Sequence, residues 1–167
     1  MSTVPKDPKL ITPPNFLKQK VGSGGLPEEV LNKAQHIIEQ SGDDFAPYAK
    51  RFIEFIKKIM DETKGSEFRT HDHVTTMIYP VMQLKAHGGM FGQPLISEIS
   101  SSALNFLENI HVLDDDAIDV LKAHYDALQP VTENKVYGLG GKAGALLIKE
   151  LNSVCDRYYK KHDIKPE

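Results

Sequence analysis

The chain of 167 residues contains one cysteine, Cys155, and no tryptophan. A single thiol excludes an internal disulfide and a zinc cluster built on cysteines. No apolar run is long enough to span a bilayer. The opening residues Met1-Ser2-Thr3-Val4-Pro5-Lys6-Asp7-Pro8 lack the apolar stretch of a secretory signal, so a cytoplasmic location is expected. A marked excess of one sign of charge is also lacking. Twenty basic residues against 23 acidic ones leave a net charge of −3, which gives no reason to expect nucleic acid or an anionic membrane as partner. Strand-like alternation and internal repeats are lacking, as are a Ser/His/Asp arrangement, a paired-carboxylate site and a cofactor fingerprint. The expectation is a non-enzyme without cofactor or metal.

What the chain does have is helical periodicity. Apolar content of 40% and charged content of 26% are those of an ordinary globular protein. Residues 1–26 hold Pro5, Pro8, Pro13 and Pro14, then Gly22-Ser23-Gly24-Gly25, and read as a flexible arm with apolar spots at Leu10, Ile11, Phe16 and Leu17. Residues 27–163 read as one all-α bundle and 164–167 as a tail. A first helix starts at Pro27, with Glu28 and Glu29 complementing its dipole, and buries Val30, Leu31, Ala34, Ile37 and Ile38. A second opens at Asp43 or Asp44, ends at Lys64-Gly65, and carries the widest apolar face, from Phe45 through Tyr48, Phe52 and Phe55 to Met60. All of its aromatic residues are expected in the core.

The third helix, capped by Thr70 and kinked by Pro80, organises the rest. Met77, Ile78, Val81 and Leu84 fall at helical spacing and point to a core. Met82, Lys85, Ala86 and Gly89, three or four apart, form a separate stripe: a long cation beside small residues that leave the backbone bare. Such a surface suits close approach by another protein. A fourth helix follows Gln93-Pro94, with Ser97, Ser100, Ser101 and Ser102 as a small polar side. Asp114-Asp115-Asp116 caps a fifth, which Pro130 stops, and a last helix runs from about Lys142 to His162.

The residues from Met82 to Glu108 resemble the signature of histidine phosphotransfer (HPt) domains, the helical-bundle carriers of phosphorelays. That signature reads His-x-Leu-Lys-Gly, then small residues, then an apolar residue and Gly closing a helix–turn–helix. Leu84-Lys85 matches the Leu-Lys pair, Ala86 replaces the Gly, Gly88-Gly89 supply the small run, Phe91-Gly92 match the closing pair, and Leu107-Glu108 fall near the family's Leu-Glu. Met82 stands where the family carries its phosphorylated histidine, and a thioether cannot form a phosphoramidate. The resemblance therefore implies an HPt-like bundle with an added C-terminal helix that binds a protein partner, such as the receiver domain of a response regulator, without carrying phosphate at that position. The residues expected at the partner surface are Met82, Lys85, Ala86, His87, Gly88 and Gly89.

Other motifs have plainer readings. His71-Asp72-His73 places its histidines on different faces, so no metal site is expected there. His87 reads as a recognition or turn-capping residue; an active phosphotransfer protein using His87 is an alternative. His36, His111, His124 and His162 read as surface or helix-end residues. Gly138-Leu139-Gly140-Gly141-Lys142 lacks P-loop spacing and reads as a hinge, and Cys155 reads as buried. A further alternative is a structural protein that self-associates, as a homo-oligomer, through the N-terminal arm or through the Leu147, Leu151, Val154, Tyr158 seam of the last helix.

Overall fold

The computed structural model describes Lys20 and residues 25–41, 45–64 and 71–166. The proposed arm, its apolar spots, and the caps at Asp43, Asp44 and Thr70 lie outside or almost outside these. Among the described residues there are six helices and no strand: α1 Glu28–Ser41, α2 Phe45–Thr63, α3 His71–Met90, α4 Pro94–Glu108, α5 Asp115–Glu133 and α6 Gly141–Lys161. None is long and apolar enough to cross a membrane. By contacts the chain divides into two units, residues 1–35 and 36–167, with the boundary inside α1.

In α1 the Pro27 carbonyl accepts from the Val30 and Leu31 amides at 2.8 and 3.1 Å, and Glu29 pairs with Lys33 across one turn. Val30, Leu31, Ala34 and Ile37, expected inside, are exposed, and the side chain of Ile38 lies outside the described residues. Helical spacing groups such side chains on one stripe, but it does not supply a surface to cover them.

In the larger unit the helices form a closed ring. α2 packs on α3, α3 on α4, α4 on α5, and α5 back on α2; α6 lies along the α4/α5 edge. The ring encloses Phe45, Ile53, Ile56, Met77, Leu84, Ile96, Ile99, Phe106, Leu121 and Leu128. Local chemistry sets the helix ends. Pro94 occupies the start of α4, where its missing N–H costs no hydrogen bond. Asp114 caps α5, its Oδ1 accepting from the Ala117 amide at 2.7 Å, and Asp115 and Asp116 fill the first turn. Gly140 enters α6 in the left-handed region, φ 68°.

Two prolines sit inside helices. α3 continues through the buried Pro80. α5 does not stop at Pro130, as the sequence suggested, but runs to Glu133. A proline ring removes one donor without preventing one more turn, and burial of Val131 and Thr132 holds that turn in place. The Pro130 carbonyl then accepts from both the backbone and the side-chain amide of Asn134.

The fifth helix also corrects the reading of His124, which is buried, not superficial. Its Nδ1 lies 2.9 Å from the Val120 carbonyl oxygen and its Nε2 3.0 Å from Ser102 Oγ, itself 2.7 Å from the Asn152 side-chain amide. A carbonyl only accepts, so Nδ1 carries the proton, and the Ser102 hydroxyl, which donates to Asn152 Oδ1, lies beside Nε2. This ties α4, α5 and α6 together; with no carboxylate on the ring it is a structural contact. Burial holds the His124 pKa below its ordinary 6.5. The unfolded chain therefore takes the proton first. Stability is expected to be full above pH 6.5 and to fall as pH drops below it, levelling once the folded pKa is passed. Urea midpoints measured from about pH 8 to about pH 5 check this; His124→Gln should lose that part of the slope.

Candidate functional site

The expected partner surface lies on α3, whose two stripes differ in burial. Val74, Met77, Val81 and Leu84 are sealed in the core, while Met82 is 50% exposed. Lys85, Ala86 and Gly89 are exposed beside it. Ile78, expected inside, is half-buried. At about 100° per residue, Tyr79, Met82, Ala86 and Met90 fall on one line down the helix. Tyr79 and Met90 are each more than half exposed. The stripe is thus longer and more apolar than the four residues first singled out.

A second apolar row stands next to it on α2. Phe45 is fully buried, but Tyr48 and Phe52 are half-buried and Phe55 is 37% exposed. The aromatic residues of α2 were all expected in the core; the helix carries two neighbouring stripes, and only the one through Phe45, Ala49, Ile53, Ile56 and Met60 points inward. The outer row meets α3 edge-on. Phe52 packs against Tyr48 and Tyr79 with ring centroids 4.8 and 6.1 Å apart. Period-3.6 bookkeeping of α2 separates Tyr48, Phe52 and Phe55 from the core stripe, and this was the signal available for them.

His87 is half-buried in this row. Its ring sits edge-on to Tyr48 at 5.0 Å, and its Nδ1–H donates to the Gln83 carbonyl at 2.8 Å. That bond returns to the carbonyl one turn back in the same helix. Gly88 differs from the surface residues around it. It is buried where α3 crosses α4, and a Cβ there would meet Ser97 Oγ at 2.8 Å and Ser97 N at 2.9 Å. Gly88 faces α4, not open solvent, because only a bare backbone permits that crossing. Ser97 clips the same turn: its hydroxyl donates to the Lys85 carbonyl and accepts from the Gly89 amide, both at 2.7 Å. The small polar side of α4 thus holds the end of α3 in register.

The remaining motifs resolve as follows. His71 lies near His111, with rings 6.1 Å apart. Among the described residues, Asp114, Asp116 and His162 form the group whose ligand atoms lie within 4.8 Å of one another. That group already holds an internal cation. Lys161 Nζ donates to Asp116 Oδ2, His162 Nε2 is 3.0 Å from the same oxygen, and the Tyr158 hydroxyl donates to Asp114 Oδ2 at 3.2 Å. The hydrogen bonds from Lys161 and His162 hold the Asp116 carboxyl below its ordinary 3.8. The cluster fastens the end of α6 to the start of α5. Gly138 is pinned to the α3–α4 turn, its amide donating to the Gly92 carbonyl and its carbonyl accepting from Leu95 N. The Leu147, Leu151, Val154, Tyr158 seam packs on the chain's own core. Cys155 is buried, which pushes its thiol up to about 11, so it is not a nucleophile at neutral pH.

Compared with protein-family models, curated proteins and solved structures, the chain finds no match.

The two adjacent glycines should respond oppositely to the same change. Gly88→Ala forces α3 from α4 and is expected to cost about 1–3 kcal/mol. At Gly89 the nearest atom to a Cβ is Ser97 Oγ at an ordinary 3.6 Å. Gly89→Ala should therefore be neutral or stabilising by up to about 1 kcal/mol. Urea denaturation of both variants decides it; equal midpoints would contradict the close crossing.

Proposed function

We propose that the chain is a non-catalytic interaction module whose α3 stripe binds another protein, in the manner of an HPt domain that has lost its phosphoacceptor. The observation that carries this reading is the outward row of Tyr79, Met82, Ala86 and Met90 beside the exposed Lys85 and Gly89. The supporting physics is simple. Aromatic and thioether side chains supply adaptable apolar contact, Ala86 and Gly89 admit a partner's backbone, and Lys85 meets an acidic group on its rim. A receiver-type domain, with its acidic pocket, is the partner whose chemistry fits the Leu84-Lys85 resemblance.

Lys85→Glu tests the surface, since it reverses one exposed charge and leaves the core alone. Affinity capture with wild-type and Lys85→Glu baits should show a partner retained by the first and weakened at least about tenfold on the second. Equal profiles would remove this surface from consideration. A gain-of-function arm tests the kinship. Met82→His, exposed to a phosphorylated receiver domain, should take the phosphoryl group from the aspartyl phosphate onto an imidazole nitrogen, leaving a free carboxylate and an acid-labile label. Wild-type protein should take none at that position. A variant that folds and stays unlabelled would speak against the phosphotransfer ancestry while leaving the docking face standing.

A further inference from the structure

Away from the α3 stripe, the first half of α2 and the last turn of α5 enclose a pocket of about 320 Å³. Ala46, Pro47 and Ile53 give it apolar walls, and Lys50, Glu54 and Glu133 stand at its opening. Its size falls at the lower end of small-molecule sites.

Thr132 lines this pocket and behaves unlike the other helical threonines. Thr63, Thr75 and Thr76 each donate their hydroxyl to the carbonyl four residues back, at 2.7, 3.1 and 2.7 Å. That is the usual resting place of a threonine hydroxyl within a helix. Thr132 is 3% exposed, yet its Oγ1 has no partner among the described residues. A buried hydroxyl is costly to leave unpaired, and Thr132 is one of the residues that border the pocket. The charges point to the kind of ligand. Lys50, Glu54 and Glu133 make no ion pair among the described residues, so two carboxylates and one ammonium are unspent. The start of α2 and the end of α5 meet here with opposed dipoles, which offset each other and leave the side chains to set the sign.

We propose that this pocket binds a small organic cation, an ammonium group on an apolar body. The body fills the space against Ala46, Pro47 and Ile53. The ammonium donates to Thr132 Oγ1 and is held by Glu54 and Glu133.

The test titrates the full-length protein with phenethylammonium chloride, 2-phenylethanol and 3-phenylpropionate, following backbone amide resonances. Saturable shifts at Ala46, Lys50, Ile53 and Thr132 are expected with the ammonium, weaker ones with the alcohol, and least with the carboxylate. Raising the salt should weaken the ammonium's binding. Thr132→Val should reduce affinity about two- to tenfold by removing one hydrogen bond. Glu133→Gln, at an exposed position that does not endanger folding, should reduce it by up to about fivefold. Lys85→Glu should leave it unchanged, which separates this site from the α3 surface. Non-saturating shifts, a carboxylate that binds as well as the ammonium, or unaltered affinity in both pocket variants would each overturn the proposal.

Discussion

The contact on which the candidate surface depends is the crossing of α3 over α4 at Gly88. One hydroxyl, that of Ser97, donates to the Lys85 carbonyl and accepts from the Gly89 amide, and Gln93 N reaches the Gly88 carbonyl at 2.8 Å. These bonds satisfy the last turn of α3, where backbone groups otherwise go unpaired. They also fix the rotation of the helix about its axis, and that rotation decides which side chains are sealed and which are presented. The turn carries a cost as well. The side-chain amide of Gln93 is fully buried with neither its nitrogen nor its oxygen partnered among the described residues, a loss on the order of 1–3 kcal/mol.

The same geometry gives the bundle two unlike edges. α6 closes the α4/α5 edge with Leu151, Tyr158 and Tyr159, the buried Cys155, and the Asp114–Asp116–Lys161–His162 cluster. The α2/α3 edge, opposite in ring order, carries Phe55, Tyr79, Met82 and Met90 in the open. The apolar seam of the last helix is spent inside the chain, so the argument for association through that helix loses its surface. The row on α3 stays exposed among the described residues.

Much of this was legible in the residues. On the third helix, Met82 falls about 100° around from Val81, and the structure buries Val81 and Leu84 while it exposes Met82 and Lys85. Helix starts at Pro94 and Asp114 follow from their chemistry. What could not be read was the depth of each stripe. In α2 the two apolar rows merge in a linear reading, because periodicity gives direction around the helix but not the width of the neighbour that covers it. In α1 nothing in the spacing says whether a partner for the apolar face exists. His124 was misplaced for a related reason: its ring is sealed by Ser102 from another helix, a contact between residues distant in sequence. Thr132 escaped notice because its oddity is a hydrogen bond not made, which no residue pattern records.

The division of methionines between inside and outside has a chemical consequence. Met60 and Met77 lie sealed in the core, whereas the sulfur-bearing side chains of Met82 and Met90 stand in solvent. Peroxide reaching the molecule would find the outer pair first, and each sulfoxide formed would turn an apolar knob into a polar, chiral one. The face on α3 would then change its character while the bundle beneath kept its packing, and a methionine sulfoxide reductase would restore it.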